Sequence, residues 1–486
     1  MNRMGFRGYV SLLVAGLALL LTEGCVSRGP AKRVAKPPVQ EAVTPVTLEW
    51  STWIGGDKKD GVNAIAVDAE GNAYVTGGSM SDGWTTGGLD NTQNGKDDAY
   101  VAKIRPDGTL AWSTYLGGSE DDGGSAITVG SDGNIYVLGQ TKSTEWLKES
   151  SPAKHHGGND VFVAVLPPDG SRLLWSTYLG GVADEVGYGI TVDKKLNVLI
   201  TGITKTLDWD ASTSDSLTYD PKRFPPNAFV SCLNKGDVKW TLLLGGDRDD
   251  TGRGIGTDAK GNIYISGWTE SSSWTLNSGI ETGLKGPRDA FIARISRKGK
   301  LRWVKCLGGD KSESSYAIAV DNKGFPCVSG RTNTNGWVEN GFDTDQNGTW
   351  DAMAARLTPS GKVIWSTFVG GNRLDTSRAI AVDAKGNQYV VGLGDSGHTW
   401  FQGGPDLTYG GDRDGFLVKV AANGSGILWG TYIGGSGEEM AYAVTVDSKN
   451  DVFVGGMAKG SEWVAGGFDT TYNGGDFDGY VVKYRQ

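Results

Sequence analysis

Residues 98–139 contain D-A-Y-V-A-K-I (98–104), L-A-W-S-T-Y-L-G-G (110–118), S-A-I-T-V (125–129) and G-N-I-Y-V-L-G (133–139). Each run is short, rich in Val, Ile, Tyr or Trp, and bounded by Gly or Asp, so each reads as a β-strand. The set returns about every 63 residues. Trp50, Trp112, Trp175, Trp240, Trp303, Trp365 and Trp429 mark one strand, at spacings of 62 to 65. Trp84, Trp146, Trp209, Trp274, Trp337, Trp400 and Trp463 form a second series with the same period. Seven units of four strands fill residues 48–486, and no segment beyond the N-terminal apolar run keeps a helical period. Short strands repeated at this period predict a seven-bladed β-propeller.

The connections predict which ends of the strands carry loops. D-x-x-G-N (68–72, 258–262, 383–387) and Pro106-Asp107-Gly108 with its equivalents are tight turns. The other two connections in each unit are long. Strands in a blade alternate in direction, so the tight turns share one face and the long loops the other, where a binding site is expected. The A-I-A-V-D run (64–68) is placed innermost and the Trp strand outermost. The last unit then lacks its outer strand. Residues 48–54 supply it beside 478–484, which closes the ring and hides two sheet edges.

The W-S-T-Y-L-G-G, A-I-A-V-D and G-N-I-Y-V units resemble the bacterial SBBP-type β-propeller repeat. That resemblance implies an exported, often surface-associated seven-bladed propeller with no general catalytic signature.

The first 47 residues differ from the rest. Arg3 and Arg7 precede the apolar run 10–21, which is too short to span a bilayer and reads as a secretory signal. Gly24-Cys25 resembles the lipobox of bacterial lipoproteins, departing from it at Thr22 and Glu23. Residues 1–25 are thus read as a signal peptide with Cys25 as the lipidation site. Residues 26–47, with four prolines, are read as a linker. The body 48–486 carries 41 basic and 54 acidic residues, which argues against nucleic acid as a partner.

A carboxylate recurs four places before the A-I-A-V-D run: Asp60, Asp122, Glu185, Asp250, Glu313, Asp375 and Glu439. Such a collar either attracts cations or serves the blades. In the second case it caps backbone N–H groups or pairs with Lys103, Arg294, Arg356, Lys419 and Lys483, and the strict repetition favours that reading. Asp343-Thr-Asp345-Gln-Asn347-Gly348-Thr349-Trp350-Asp351 has the D-x-D-x-N-G spacing of a Ca²⁺ loop, but Ala354 replaces the bidentate Glu of an EF-hand. A turn built from Asp and Gly is the other reading. Residues that break the sevenfold pattern are the ligand candidates: Trp268, Trp350, His155 and His156, with His398 and the divergent loop 206–227 beside them, although filling gaps between loops is the favoured reading of the two tryptophans. With three His in the chain and no G-x-S-x-G elbow, catalytic Ser-His-Asp chemistry finds no support. Cys232, Cys306 and Cys327 read as core substitutions.

The sequence therefore predicts an exported, monomeric, non-catalytic propeller, either lipid-anchored in the bacterial cell envelope or secreted. It would bind a protein or a polysaccharide through its long-loop face. A carbohydrate-active lyase or hydrolase, and a purely structural surface protein, are the rivals.

Overall fold

The computed structural model describes residues 45–146, 155–206, 225–274, 280–395, 401–460 and 463–486. Cys25, Trp209, His398, Trp400 and most of the 206–227 loop lie outside these. The body contains seven antiparallel four-stranded sheets. Blade 1 runs outward in chain order through Asp60–Val67, Ala73–Ser79, Asp98–Ile104 and Leu110–Leu116. The inner strands of blades 2 to 7 begin at Asp122, Glu185, Asp250, Glu313, Asp375 and Glu438, and each packs on its two neighbours around a closed circle. In blade 7 the outer place belongs to Thr47–Ile54, paired antiparallel with Asp478–Arg485 so that Trp53 faces Tyr480. The ring closes as the sequence predicts.

Alternation explains the core. Side chains of a strand point to opposite sheet faces, so each blade is apolar on both and packs against both neighbours. Tyr74, Val101 and Trp112 of blade 1 meet Ile135, Val137 and Phe162 of blade 2. On the other face, Val75, Tyr100 and Ala102 meet Phe453 and Val481 of blade 7.

The two tryptophan series have distinct tasks. An outer-strand indole lies between blades and donates its N–H to a turn about 56 residues further on. Trp50 bonds the Pro106 carbonyl at 2.9 Å and Trp112 bonds that of Pro168 at 3.1 Å. Trp84, Trp146 and Trp274 instead sit edge-on against Tyr100, Phe162 and Phe291 within their own blades.

One expectation about the loops is revised. The connection between the second and third strands does not simply crown the long-loop face; it runs down the outer strand. Ser113 N–H donates to the Thr86 carbonyl and Tyr115 N–H to that of Asp90, a pattern repeated at Ser366/Glu339 and Phe368/Asp343. The reason is the exposed edge: an outer strand has free N–H groups that need acceptors, and the loop covers them.

Candidate functional site

The collar carboxylates are buried under the loop ends and do not line the channel. Asp60 accepts the Gly56 N–H at 2.8 Å, the Ser79 hydroxyl at 2.5 Å and the Ser81 hydroxyl at 2.7 Å. Asp122, Glu185, Asp250, Glu313 and Asp375 accept the matching glycine N–H groups. Pairing with the third-strand cations is contradicted. Lys103 and Arg294 reach the Pro168 and Pro359 carbonyls, and Arg356, Lys419 and Lys483 pair with Asp321, Asp383 and Asp451. Those cations lie several residues along their strand, toward the tight-turn end, and cannot reach the collar.

A second carboxylate starts most third strands and approaches the collar of the next blade. Burial, opposed by the Asn94 N–H and reinforced by Asp122, raises Asp98 to about 6. Burial and then Glu185 raise Asp160 to about 7. Glu439 rises furthest, to about 8, through burial and then the charges of Asp414 and Glu438.

The channel wall is built from one backbone irregularity used seven times. Every inner strand carries a register shift at the same place, between Val62 and Ala64 in blade 1 and between Gly252 and Gly254 in blade 4. The extra residue of such a bulge is unpaired and its side chain is re-aimed. Here the extra residues are Asn63, Ser125, Tyr188, Arg253, Tyr316, Arg378 and Tyr442, and all of them line one cavity of about 480 Å³. The next position is small because strands crowd there: a Cβ on Gly254 would lie 2.7 Å from the Ile318 nitrogen. One residue on, isoleucines such as Ile65, Ile190 and Ile318 form an apolar zone.

The ring is uneven. Asn63, Ser125 and the nearby Gln140 make a neutral polar wall; Tyr188, Arg253, Tyr316, Arg378 and Tyr442 make a cationic aromatic one. Arg253 lies over Tyr188 with Cζ 3.8 Å from the ring centroid. Arg331, on the second strand of blade 5, lies 4.3 Å over Trp350.

The four candidates from sequence divide accordingly. Trp350 joins this group through Arg331. Trp268 is half-buried in blade 4, under Arg288 at 3.9 Å, and Arg288 pairs with Glu270. His155 packs edge-on against Tyr178 and bonds the Thr141 carbonyl at 3.2 Å; the His156 N–H donates to Asp160 at 2.7 Å. The two histidines are therefore placed in the blade 2 loop, apart from the channel lining. In 343–351, Asp351 accepts the Asn347 and Gly348 N–H groups, Asp343 accepts that of Asp345, and the Thr349 N–H donates to the Arg373 carbonyl. This segment covers the blade 5 edge. Among the described residues no three His, Cys, Asp or Glu side chains converge as a metal would require.

Sequence reading passed over Tyr188, Arg253, Tyr316, Arg331, Arg378 and Tyr442. For all but Arg331 the signal was present: the third residue after each collar acid varies while its neighbours repeat.

Comparisons agree with this architecture. Residues 49–82, 111–145, 174–206 and 239–273 match the family model described as SBBP, Beta-propeller repeat. The chain is a seven-bladed propeller, and four of its stretches are similar to that repeat. Each match runs from an outer strand through the next blade's inner and second strands, so the repeat unit straddles a blade boundary. An uncharacterized WD repeat-containing protein of Acanthamoeba polyphaga mimivirus is 22% identical over 78% of this chain and 34% of its own length. Regulatory protein FlaEY of Caulobacter vibrioides is 25% identical over 77% of this chain and 40% of its own. The chain thus spans well under half of either relative's length. Among solved structures, an ulvan lyase has a TM-score of 0.43 at 12% identity, covering 83% of this chain and 93% of that one. A Dyadobacter fermentans protein of unknown function has a TM-score of 0.41 at 11% identity, covering 91% of this chain and 100% of that one.

Proposed function

We propose that this protein is a non-catalytic binding propeller that takes a glycan or protein group at the long-loop mouth of its channel. One observation carries the reading. Residues that serve the blades repeat around the ring, whereas the seven bulge residues facing the cavity are Asn, Ser, Tyr, Arg, Tyr, Arg and Tyr. A structural ring has no need of such variety around this cavity. The relatives named for WD repeats and for a regulatory role accord with a scaffold. The basic start, short apolar run and Cys25 support export and lipid anchoring to a bacterial envelope membrane.

The test is a screen of the full chain against glycans and envelope proteins, read by thermal shift and by product analysis. The expected result is a stabilising ligand that is recovered intact. Turnover of a polysaccharide overturns the reading, as does a complete absence of ligands.

A further inference from the structure

The body is acidic, yet the channel gathers cations. Arg253, Arg331 and Arg378 hold Cζ at 5.7, 5.8 and 5.1 Å from the centroid of one ring, that of Tyr316. The Nε of each is buried and has no hydrogen-bond partner. Among the described residues the arginines that find a carboxylate are Arg288, Arg356, Arg413 and Arg485, and these three do not. Burial lowers the Arg253 pKa from its ordinary value, and Arg378 and Arg331 lower it further.

Guanidiniums brought together out of water cost free energy unless an anion joins them. Stacking on Tyr188, Tyr316 and Trp350 offsets part of that cost but leaves the planar donor edges unused. Those edges match the paired oxygens of a carboxylate or sulfate. Across the cavity, Asn63, Ser125 and Gln140 offer neutral groups that exchange hydrogen bonds with hydroxyls. A volume of about 480 Å³ suits a small ligand or a chain end rather than a folded domain. One anionic wall-partner facing one hydroxyl-partner is the chemistry of an acidic sugar.

We propose that the channel binds the carboxylate or sulfate of an acidic saccharide, with Arg253 and Arg378 on the anion, Arg331 adding its charge from beside Tyr316, and Asn63, Ser125 and Gln140 on sugar hydroxyls. This rests on the binding reading above and supplies its ligand class.

The full chain is titrated calorimetrically at low salt with trigalacturonate, a sulfated galactotriose, neutral galactotriose and triglutamate. At least one acidic saccharide should bind about tenfold or more tighter than both the neutral sugar and the peptide, and should weaken as salt is raised. Arg253→Gln and Arg378→Gln should each lose about tenfold in affinity, while Arg297→Gln, on the tight-turn face, should not. Without ligand, the first two variants should melt no lower than the parent, because each removes a half-buried charge that has no carboxylate partner. Failure of both acidic saccharides to bind overturns the proposal, as does equal binding of triglutamate or unchanged affinity in both variants. A lower melting temperature in the ligand-free variants also overturns it, since the guanidiniums would then have their partner within the fold. A neutral glycan or protein held equally by parent and variants would overturn this site and leave the binding reading standing.

Discussion

At the scale of residues, Glu439 shows what a collar acid becomes without a hydroxyl opposite it. Blades 1 to 5 put a hydroxyl opposite the collar acid, at Ser79, Thr141, Thr204, Thr269 and Thr332. In blade 7 the facing residue is Ala458, wholly buried. Without that donor, burial pushes Glu439 up to about 8 from 4.5. Below about pH 4.5 the carboxyl is neutral whether the chain is folded or not. Between there and about 8 the unfolded chain gives up the proton and the folded chain keeps it, so stability falls as pH rises across this window. Asp160 and Asp478, each raised to about 7, act in the same direction. Melting temperature should therefore drop between pH 5 and pH 9, and Ala458→Ser should flatten that slope. At the alkaline end the new hydrogen bond should add about 0.5–1.5 kcal/mol. An unchanged slope in the variant would show that Glu439 is not the group titrating. The collar was legible in the sequence because it repeats. The channel residues were equally visible, but constancy was the search criterion, and a ligand site lives in the positions that vary. Residue types alone also do not reveal that Arg253 and Arg378 turn inward, because the bulge decides that.

At the scale of elements, the bulge depends on the strand beside it. Pushing an extra residue toward the channel drives the preceding carbonyl into the second strand, where only hydrogen leaves room. A Cβ on Gly330 would lie 1.9 Å from the Ser314 carbonyl oxygen, and Gly77, Gly202, Gly267, Gly392 and Gly456 meet the same obstruction at 1.8 to 2.0 Å. Gly330→Ala should cost about 1–3 kcal/mol by overpacking, measured by urea unfolding. Gly426→Ala, where no atom lies within 4 Å of the added carbon, should stay within about 0.5 kcal/mol of the parent. Equal effects would mean that the bulge tolerates a side chain beside it. The closing strands were readable to within a residue: 48–54 and 478–484 from pattern became Thr47–Ile54 and Asp478–Arg485, whereas the inner strand of blade 1, read at 64–68, runs Asp60–Val67. The path of the long loops was not readable. It is set by which outer-strand N–H groups lack acceptors, a property of the assembled edge and not of the loop's composition.

At the scale of the molecule, the circle is held shut by a strand from one end of the body pairing with a strand from the other. Thr47 faces Arg485 across that pair, so residues 46 and 486 lie close enough to join with a short glycine-serine linker. The chain can then be reopened in two informative places. A cut between Arg297 and Lys298, both exposed, falls between the third and outer strands of blade 4. The new ends would belong to one sheet, Asp289–Ile295 pairing with Leu301–Leu307, and backbone hydrogen bonds would again clasp the ring. A cut between Asp310 and Lys311, also exposed, falls between blades 4 and 5. The new ends would then lie in different sheets, with only side-chain packing to hold the seam. Both permutants keep every residue and differ only in whether a sheet spans the gap. The first should melt near the parent, and the second several degrees lower with a broader transition, because separated ends permit local opening of the ring. Calorimetric scans of the two permutants measure this directly. If both melt alike, blade-to-blade packing alone closes the circle, and the shared strand serves only to cover edges.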